Sequence, residues 1–149
     1  MNIIVVGVDH SAGARAALAF AHEEARLRKA TIRAVHAWQF GHVGYNGYEM
    51  ASPALGGDIQ KLRAAAQAAL EATLNDAIPD AGDVEIEQRL VEGAPGAVLV
   101  DESRDAMLLV VGSRGHGGFA QLLLGSVSQQ CAHHAECPVV IVRSKPEAK

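Results

Sequence analysis

Ile3-Ile4-Val5-Val6-Gly7-Val8-Asp9, residues 3–9, is the stretch that decides the fold. From Ile3 to Val8 it is apolar without interruption and rich in β-branched side chains. A strand with one face in water alternates apolar and polar residues, whereas a strand buried on both faces does not. The run therefore reads as an inner strand of a parallel sheet, which needs helices on both faces. The next residues supply one. Ser11 to Lys29 is Ala-rich and helical, and Ser11 is placed to cap it.

The same alternation continues outward. Thr31 to Ala37 is a second strand. Asp58 can cap a helix running to about Ile78, whose Ile59, Leu62, Ala66, Ala69, Leu70, Leu74 and Ile78 share one face. Pro79 and Gly82 end it. Val84 to Val91 mixes charged and apolar residues, as a strand near a sheet edge would. Pro95 opens a short helix from about Ala94 to Ser103. Met107 to Gly112 is a fourth, buried strand, Ser126 to Ala135 a fourth helix, and Pro138 to Arg143 a fifth strand.

The order βαβαβαβαβ predicts an α/β fold: a five-stranded parallel doubly wound sheet with four helices on both faces. Right-handed crossovers leave 3-2-1-4-5 as the simplest strand order. The winding reverses between strands 1 and 4, and ligands of such sheets bind at the carboxyl ends of the strands at that reversal. Asp9, after strand 1, and a glycine cluster after strand 4 both fall there. With no internal repeat and no linker, residues 1–149 read as one domain.

Composition narrows the function. Apolar residues make up 49% of the chain and the formal net charge is −4. No cluster of Lys and Arg forms the positive groove that a nucleic-acid backbone requires. The N-terminus lacks the basic start and cleavage site of a signal peptide. No apolar run approaches the roughly 20 residues of a membrane helix. The expected setting is cytoplasmic, with no nucleic acid and no membrane as partner.

The chemistry concentrates in Val110-Val111-Gly112-Ser113-Arg114-Gly115-His116-Gly117-Gly118 and in Leu124-Gly125-Ser126-Val127-Ser128. Glycines let the backbone turn sharply and approach a ligand without Cβ obstruction. The first amides of the helix that follows have no partners inside it and carry partial positive charge. A strand, a glycine loop and a helix N-terminus can together hold a polyphosphate. Ser126 and Ser128 add hydroxyl donors and Arg114 a cation; His116 either touches a phosphate or faces solvent. No Gly-x-x-x-x-Gly-Lys-Ser/Thr occurs, which disfavours a P-loop NTPase. Gly115-x-Gly117-x-x-Ala120 matches the loose dinucleotide fingerprint but sits in the fourth β-α turn rather than the first.

What remains is the spacing Gly112-x2-Gly115-x9-Gly125-Ser126. In this the sequence resembles the ATP-binding branch of the universal stress protein family. Val6-Gly7-Val8-Asp9, Val91-x-Gly93-x-Pro95 and Cys137-Pro138-Val139-Val140-Ile141-Val142 extend the resemblance over nearly the whole chain. It implies a Rossmann-like fold and ATP, alone or with Mg, as cofactor. It places Asp9 near ribose and phosphates, and Ala37 where its backbone meets adenine. Val111, Gly112 and Gly115 would line adenine and ribose, with Ser113 and Arg114 facing the ligand. Gly125, Ser126 and Val127 would bind phosphates. It also implies a homodimer paired through the last strand.

Other features read more plainly. Asp9 can also cap the first helix. Cys131, His133, His134 and Cys137 do not have the spacing of zinc ligands, and Cys131 reads as a small core residue. His36, ending a buried strand, reads as a structural histidine. The stretch Trp38–Gly57 carries four of the six aromatic residues and reads as a loop, either a lid or a subunit contact. The resulting expectation is a nucleotide-dependent stress or signalling module. The alternative is a slow ATP hydrolase or phosphoryl-transfer enzyme, with Asp9 as metal ligand and Arg114 as charge stabiliser. A flavin domain is a third class that the fold alone leaves open.

Overall fold

The computed structural model describes residues 2–9, 11–39, 59–113 and 124–144. In chain order the elements are β1 (Ile3–Gly7), α1 (Ala12–Arg28), β2 (Thr31–Trp38), α2 (Ile59–Ala77), β3 (Ile86–Glu92), α3 (Pro95–Glu102), β4 (Leu108–Gly112), α4 (Ser126–His134) and β5 (Val139–Val142). All four strand pairings are parallel, in the order β3-β2-β1-β4-β5. This is the α/β, doubly wound, Rossmann-like architecture expected from the alternation of elements.

Side-chain alternation along the strands builds two cores. Ile4, Val6, Ile32, Ala34, Leu108 and Val110 pack with the apolar faces of α1 and α2. Ile3, Val5, Val35, Leu109 and Val111 pack with Val98 and Leu99 of α3 and Cys131 of α4. Both β1 and β4 are therefore buried on both faces, which is why their sequences show no polar alternation. The edge strands differ. β3 is exposed or half-buried throughout, and all four residues of β5 are half-buried.

Local signals fix the element ends. The Ser11 hydroxyl accepts from the Ala14 amide and caps α1, a contact worth about 1 kcal/mol. Lys29 ends that helix in the left-handed conformation at φ 54°. Gly93, at φ +145°, joins β3 to α3, and its amide donates to Trp38 O at 2.8 Å.

Three expectations shift. Trp38 belongs to β2, opposite Glu92 of β3, rather than to the following loop. β3 starts at Ile86, because Val84 is still held in the preceding turn by a bond from its amide to Ala81 O. In α2 the buried face begins at Ala66 and continues through Leu70, Thr73 and Leu74. Ile59 is exposed instead, and Leu62 and Ala69 are only half-buried. Thr73 takes a core position because its hydroxyl donates to Ala69 O at 3.0 Å. Asp58, expected to cap α2, and most of the stretch 38–57 lie outside the described residues.

Candidate functional site

The carboxyl ends of β1 and β4 meet the N-termini of α1 and α4 at the reversal of winding. β1 ends at Gly7, where space is short: a Cβ there would meet Leu99 Cδ1 at 2.7 Å. Val8 continues with one more bond, from its amide to Val35 O at 2.9 Å. Asp9 then leaves the sheet half-buried. Its Oδ1 accepts from the Ser11 amide at 3.0 Å and from the Ser11 hydroxyl. The helix cap is thus Ser11, and Asp9 steadies the cap from two residues beyond the end of β1. Among the described residues nothing engages the other carboxylate oxygen of Asp9.

β4 ends against the start of α1. A Cβ on Gly112 would meet the backbone of Gly13 at 2.8–3.0 Å. Backbone cannot swing away as a side-chain end can, so glycine at 112 is required by close packing of strand on helix. Gly13 was not evident as a site residue from sequence; a glycine in the first turn of an otherwise Ala-rich helix was the available signal. Val111 is 3% exposed and its side chain belongs to the core beneath α3 and α4. Val127 packs against that same core. These two valines can offer a ligand little beyond their backbone.

Ser113 closes the base of the glycine loop. Its amide donates to Val142 O at 2.9 Å, and its carbonyl accepts from the Gly125 amide at 2.8 Å. That carbonyl also accepts the Ser128 hydroxyl at 3.1 Å, while the same hydroxyl lies 3.0 Å from Gly125 O. Ser128 is 2% exposed. The expectation of a Ser128 hydroxyl donor for phosphate is therefore corrected: that hydroxyl is spent inside the protein, tying residue 113 to residue 125. Gly125 likewise has its amide engaged and serves as the α4 N-cap, in extended backbone without a side-chain cap. Arg114, Gly115, His116, Gly117 and Gly118 lie outside the described residues.

The open donors are the next three. The first α4 bond from outside the helix runs from the Gln129 amide to Gly125 O. Among the described residues, none accepts from the amides of Ser126, Val127 or Ser128. They form the positive end of a nine-residue helix, and Ser126 is exposed beside them.

On the other side of β1, strand geometry aims Ala37 at the same region. Thr31 and Val35 bond toward β1, while Ile32 and Trp38 bond toward β3. Odd-numbered residues of β2 therefore face β1, and Ala37 faces the place where β1 has already ended. Ala37 is 8% exposed. His36 is buried, and its Nδ1 donates to Val8 O at 2.8 Å, as a structural histidine should.

Cys131 is a core residue under α4, as its position on the helical face suggested. Burial first, and the neighbouring Cys137 second, push its thiol up to about 11. It is therefore a poor nucleophile near neutrality. Among the described residues no group of His, Cys, Asp and Glu is arranged to hold a metal. No helix among them is long and apolar enough to cross a membrane.

The family model described as the universal stress protein family matches residues 1–143. A universal stress protein of Mycolicibacterium smegmatis is 32% identical over 143 residues, covering 95% of this chain and 46% of that protein. One from Mycobacterium tuberculosis is 35% identical over 140 residues, covering 94% and 44%. The chain thus spans about half the length of the curated relatives it matches. Among solved structures, a universal stress protein in complex with cAMP has a TM-score of 0.68 at 31% identity, covering 95% of this chain and 96% of that one. The Archaeoglobus fulgidus universal stress protein in complex with dAMP has a TM-score of 0.68 at 28% identity, covering 95% and 97%.

Proposed function

The chain belongs to the universal stress protein family, and we propose that it binds ATP, alone or with Mg, as a nucleotide-dependent stress-response or signalling module of the cytoplasm. The observation that carries this is the row of amides of Ser126, Val127 and Ser128 at the N-terminus of α4, which meet no acceptor among the described residues. A helix N-terminus stabilises negative charge, and this one opens at the switch point of the sheet, where ligands of the fold class bind. Relatives that hold cAMP and dAMP support an adenine nucleotide in particular.

In this proposal Ala37 meets adenine through its backbone. Val111, Gly112 and Gly115 bound the adenine and ribose, and Ser113 and Arg114 face the ligand. Gly125 shapes the turn, and Ser126 and Val127 hold phosphates through their amides. Asp9 stands at the same corner, and a bare carboxylate beside a polyphosphate repels it. Asp9 would be the residue to hold a magnesium ion bound with the nucleotide, whose charge would remove that conflict. The half-buried apolar β5 edge supports pairing with a second copy, since an open apolar edge invites strand addition.

The decisive experiment is to denature purified protein, identify the released nucleotide by mass, and titrate nucleotide-free protein with ATP, ADP and cAMP. ATP is expected to be released and to bind most tightly of the three. Release of no adenine nucleotide, with no binding heat, would falsify the proposal. Phosphate release at about 1 per second or faster, the range of ordinary enzymes, would replace the module with a hydrolase.

A further inference from the structure

The end of β2 contains an interrupted rung. In a parallel ladder, the Val8 amide bonded to Val35 O is followed by the Ala37 amide bonded to Val8 O. The first of these bonds is present at 2.9 Å. The second is not made: the Val8 carbonyl instead accepts Nδ1–H of His36 at 2.8 Å. Among the described residues, none accepts from the Ala37 amide. An amide in a buried strand end normally has a partner, and the described residues supply none for this donor.

We propose that His36 is a positioning residue for base recognition: by occupying the Val8 carbonyl it keeps the Ala37 amide available to a ring-nitrogen acceptor of a purine. This inference rests on the nucleotide proposal above and goes further, assigning base preference to a side chain that never touches the base. An amide N–H selects an edge that presents an acceptor. Adenine presents its unprotonated N1 and N3. In hypoxanthine N1 carries a proton, which would oppose the amide donor at that edge. The imidazole is well suited to the task. It is 4% exposed, held by the closely packed ends of β1 and β2, and rigid beyond two torsions. Without it, the Val8 carbonyl is the nearest backbone acceptor in register for Ala37, and the ladder can close by one rung.

The test compares wild type, His36→Leu and His36→Asn by calorimetric titration with ATP, ITP and inorganic tripolyphosphate. Asn keeps a donor at the δ position and Leu does not. Wild type is expected to prefer ATP over ITP by at least about tenfold, equivalent to about 1.4 kcal/mol. His36→Leu should lose most of that preference while binding tripolyphosphate as before, and His36→Asn should retain it. A general structural defect would lower affinity for all three ligands together. An unchanged ATP-to-ITP ratio in His36→Leu overturns the inference, as does equal loss of all three. Amide exchange in the wild-type protein provides a check independent of any variant. The Ala37 amide should exchange faster than that of Val35 in free protein and slow down when ATP, but not tripolyphosphate, is added. Protection of Ala37 in the free protein also overturns the inference. If wild type binds none of the three ligands, the nucleotide proposal itself fails, which is a different result.

Discussion

The two ends of the sheet treat polar groups in opposite ways. Near the start of β2, Arg33 is 13% exposed in its side chain and paired through two of its nitrogens: Nε lies 2.7 Å from Glu87, and Nη1 lies 3.1 Å from Asp105 and 3.0 Å from Glu102 O. Arg89 adds a second pair with Glu102 at 2.9 Å. These contacts bind β2, β3, the end of α3 and the turn before β4 into one polar patch. At the carboxyl ends of β1 and β4, by contrast, the amides of Ala37, Ser126, Val127 and Ser128 meet no acceptor among the described residues. The patch spends its charges on one another, although Glu102 Oε1 is left without a well-aligned hydrogen bond among the described residues, whereas the open amides are, in the proposed function, reserved for a ligand. In the proposed function the first end is a fastening and the second a receptor.

The comparison is sharpest at the glycines that frame the open end. Gly112→Ala should have the largest effect, because the new methyl would meet the Gly13 backbone at 2.8 Å. Overpacking of this kind costs about 1–3 kcal/mol, and a backbone obstacle puts it at the upper end. Gly7→Ala meets side chains rather than backbone, Leu99 at 2.7 Å and Val111 at an ordinary 3.5 Å, and the methyl end of Leu99 can turn, so its cost should be near the lower end. Urea unfolding of both variants measures the difference. Equal costs would mean that β4 and α1 can part freely, and the corner would then be soft rather than preorganised.

Next in size are changes that spare the frame and alter the open donors or their charge. Asp9→Asn retains an oxygen to accept from Ser11 and so keeps the helix start while removing the charge. It should weaken ATP binding in the presence of Mg by about tenfold, or about 1.4 kcal/mol, and leave magnesium-free binding unchanged or tighter. Ser126→Ala removes one exposed hydroxyl near the phosphates and should weaken ATP by about 1.5 kcal/mol, the lower range for a bond to a charged group. Calorimetric titrations with and without magnesium would read both. Indifference of Asp9→Asn to magnesium would confine Asp9 to its structural role.

How much of this was legible in the sequence depends on whether the cause was local. The unbroken run Ile3–Val8, the Ser11 cap and Pro95 at the start of α3 each act through neighbours in the chain, and each led to the observed element. The strand order followed from them through the handedness of crossovers. The corner proposed for the site was legible for the same reason, but its inner wiring was not. That the Ser128 hydroxyl turns inward depends on Ser113 O, fifteen residues away. That Gly112 serves packing depends on Gly13, far off in sequence. The α2 face misled because periodicity gives the buried direction of a helix without saying how much of its length meets the core; Ile59 shares the direction and stays exposed.

The smallest effect belongs to the fastened end, and it separates the two ends by pH. The hydrogen bond from Arg33, together with its charge, holds the Asp105 carboxyl below its ordinary value of 3.8. On Arg33 itself, partial burial works against the cation, yet the bonds to Glu87 and Asp105 outweigh it and raise the guanidinium's pKa. A carboxylate with a lowered folded pKa contributes stability that is complete above its unfolded value, near 3.9. That contribution disappears as pH falls through the folded value. Asp105 is exposed, so solvent screens the pair and the contribution is small. Asp105→Asn should therefore lower the urea midpoint slightly at pH 6, with the gap from wild type closing as the pH is taken from 5 toward 2. ATP affinity at pH 7 should be unchanged, since among the described residues Arg33 bonds to Glu87, Glu102 and Asp105, none of them a proposed ligand contact. A gap that persists at pH 2 would show that Asp105 acts through something other than its charge. A fall in ATP affinity would mean that the fastening and the receptor are mechanically coupled through β2, the one strand that carries both Arg33 and Ala37.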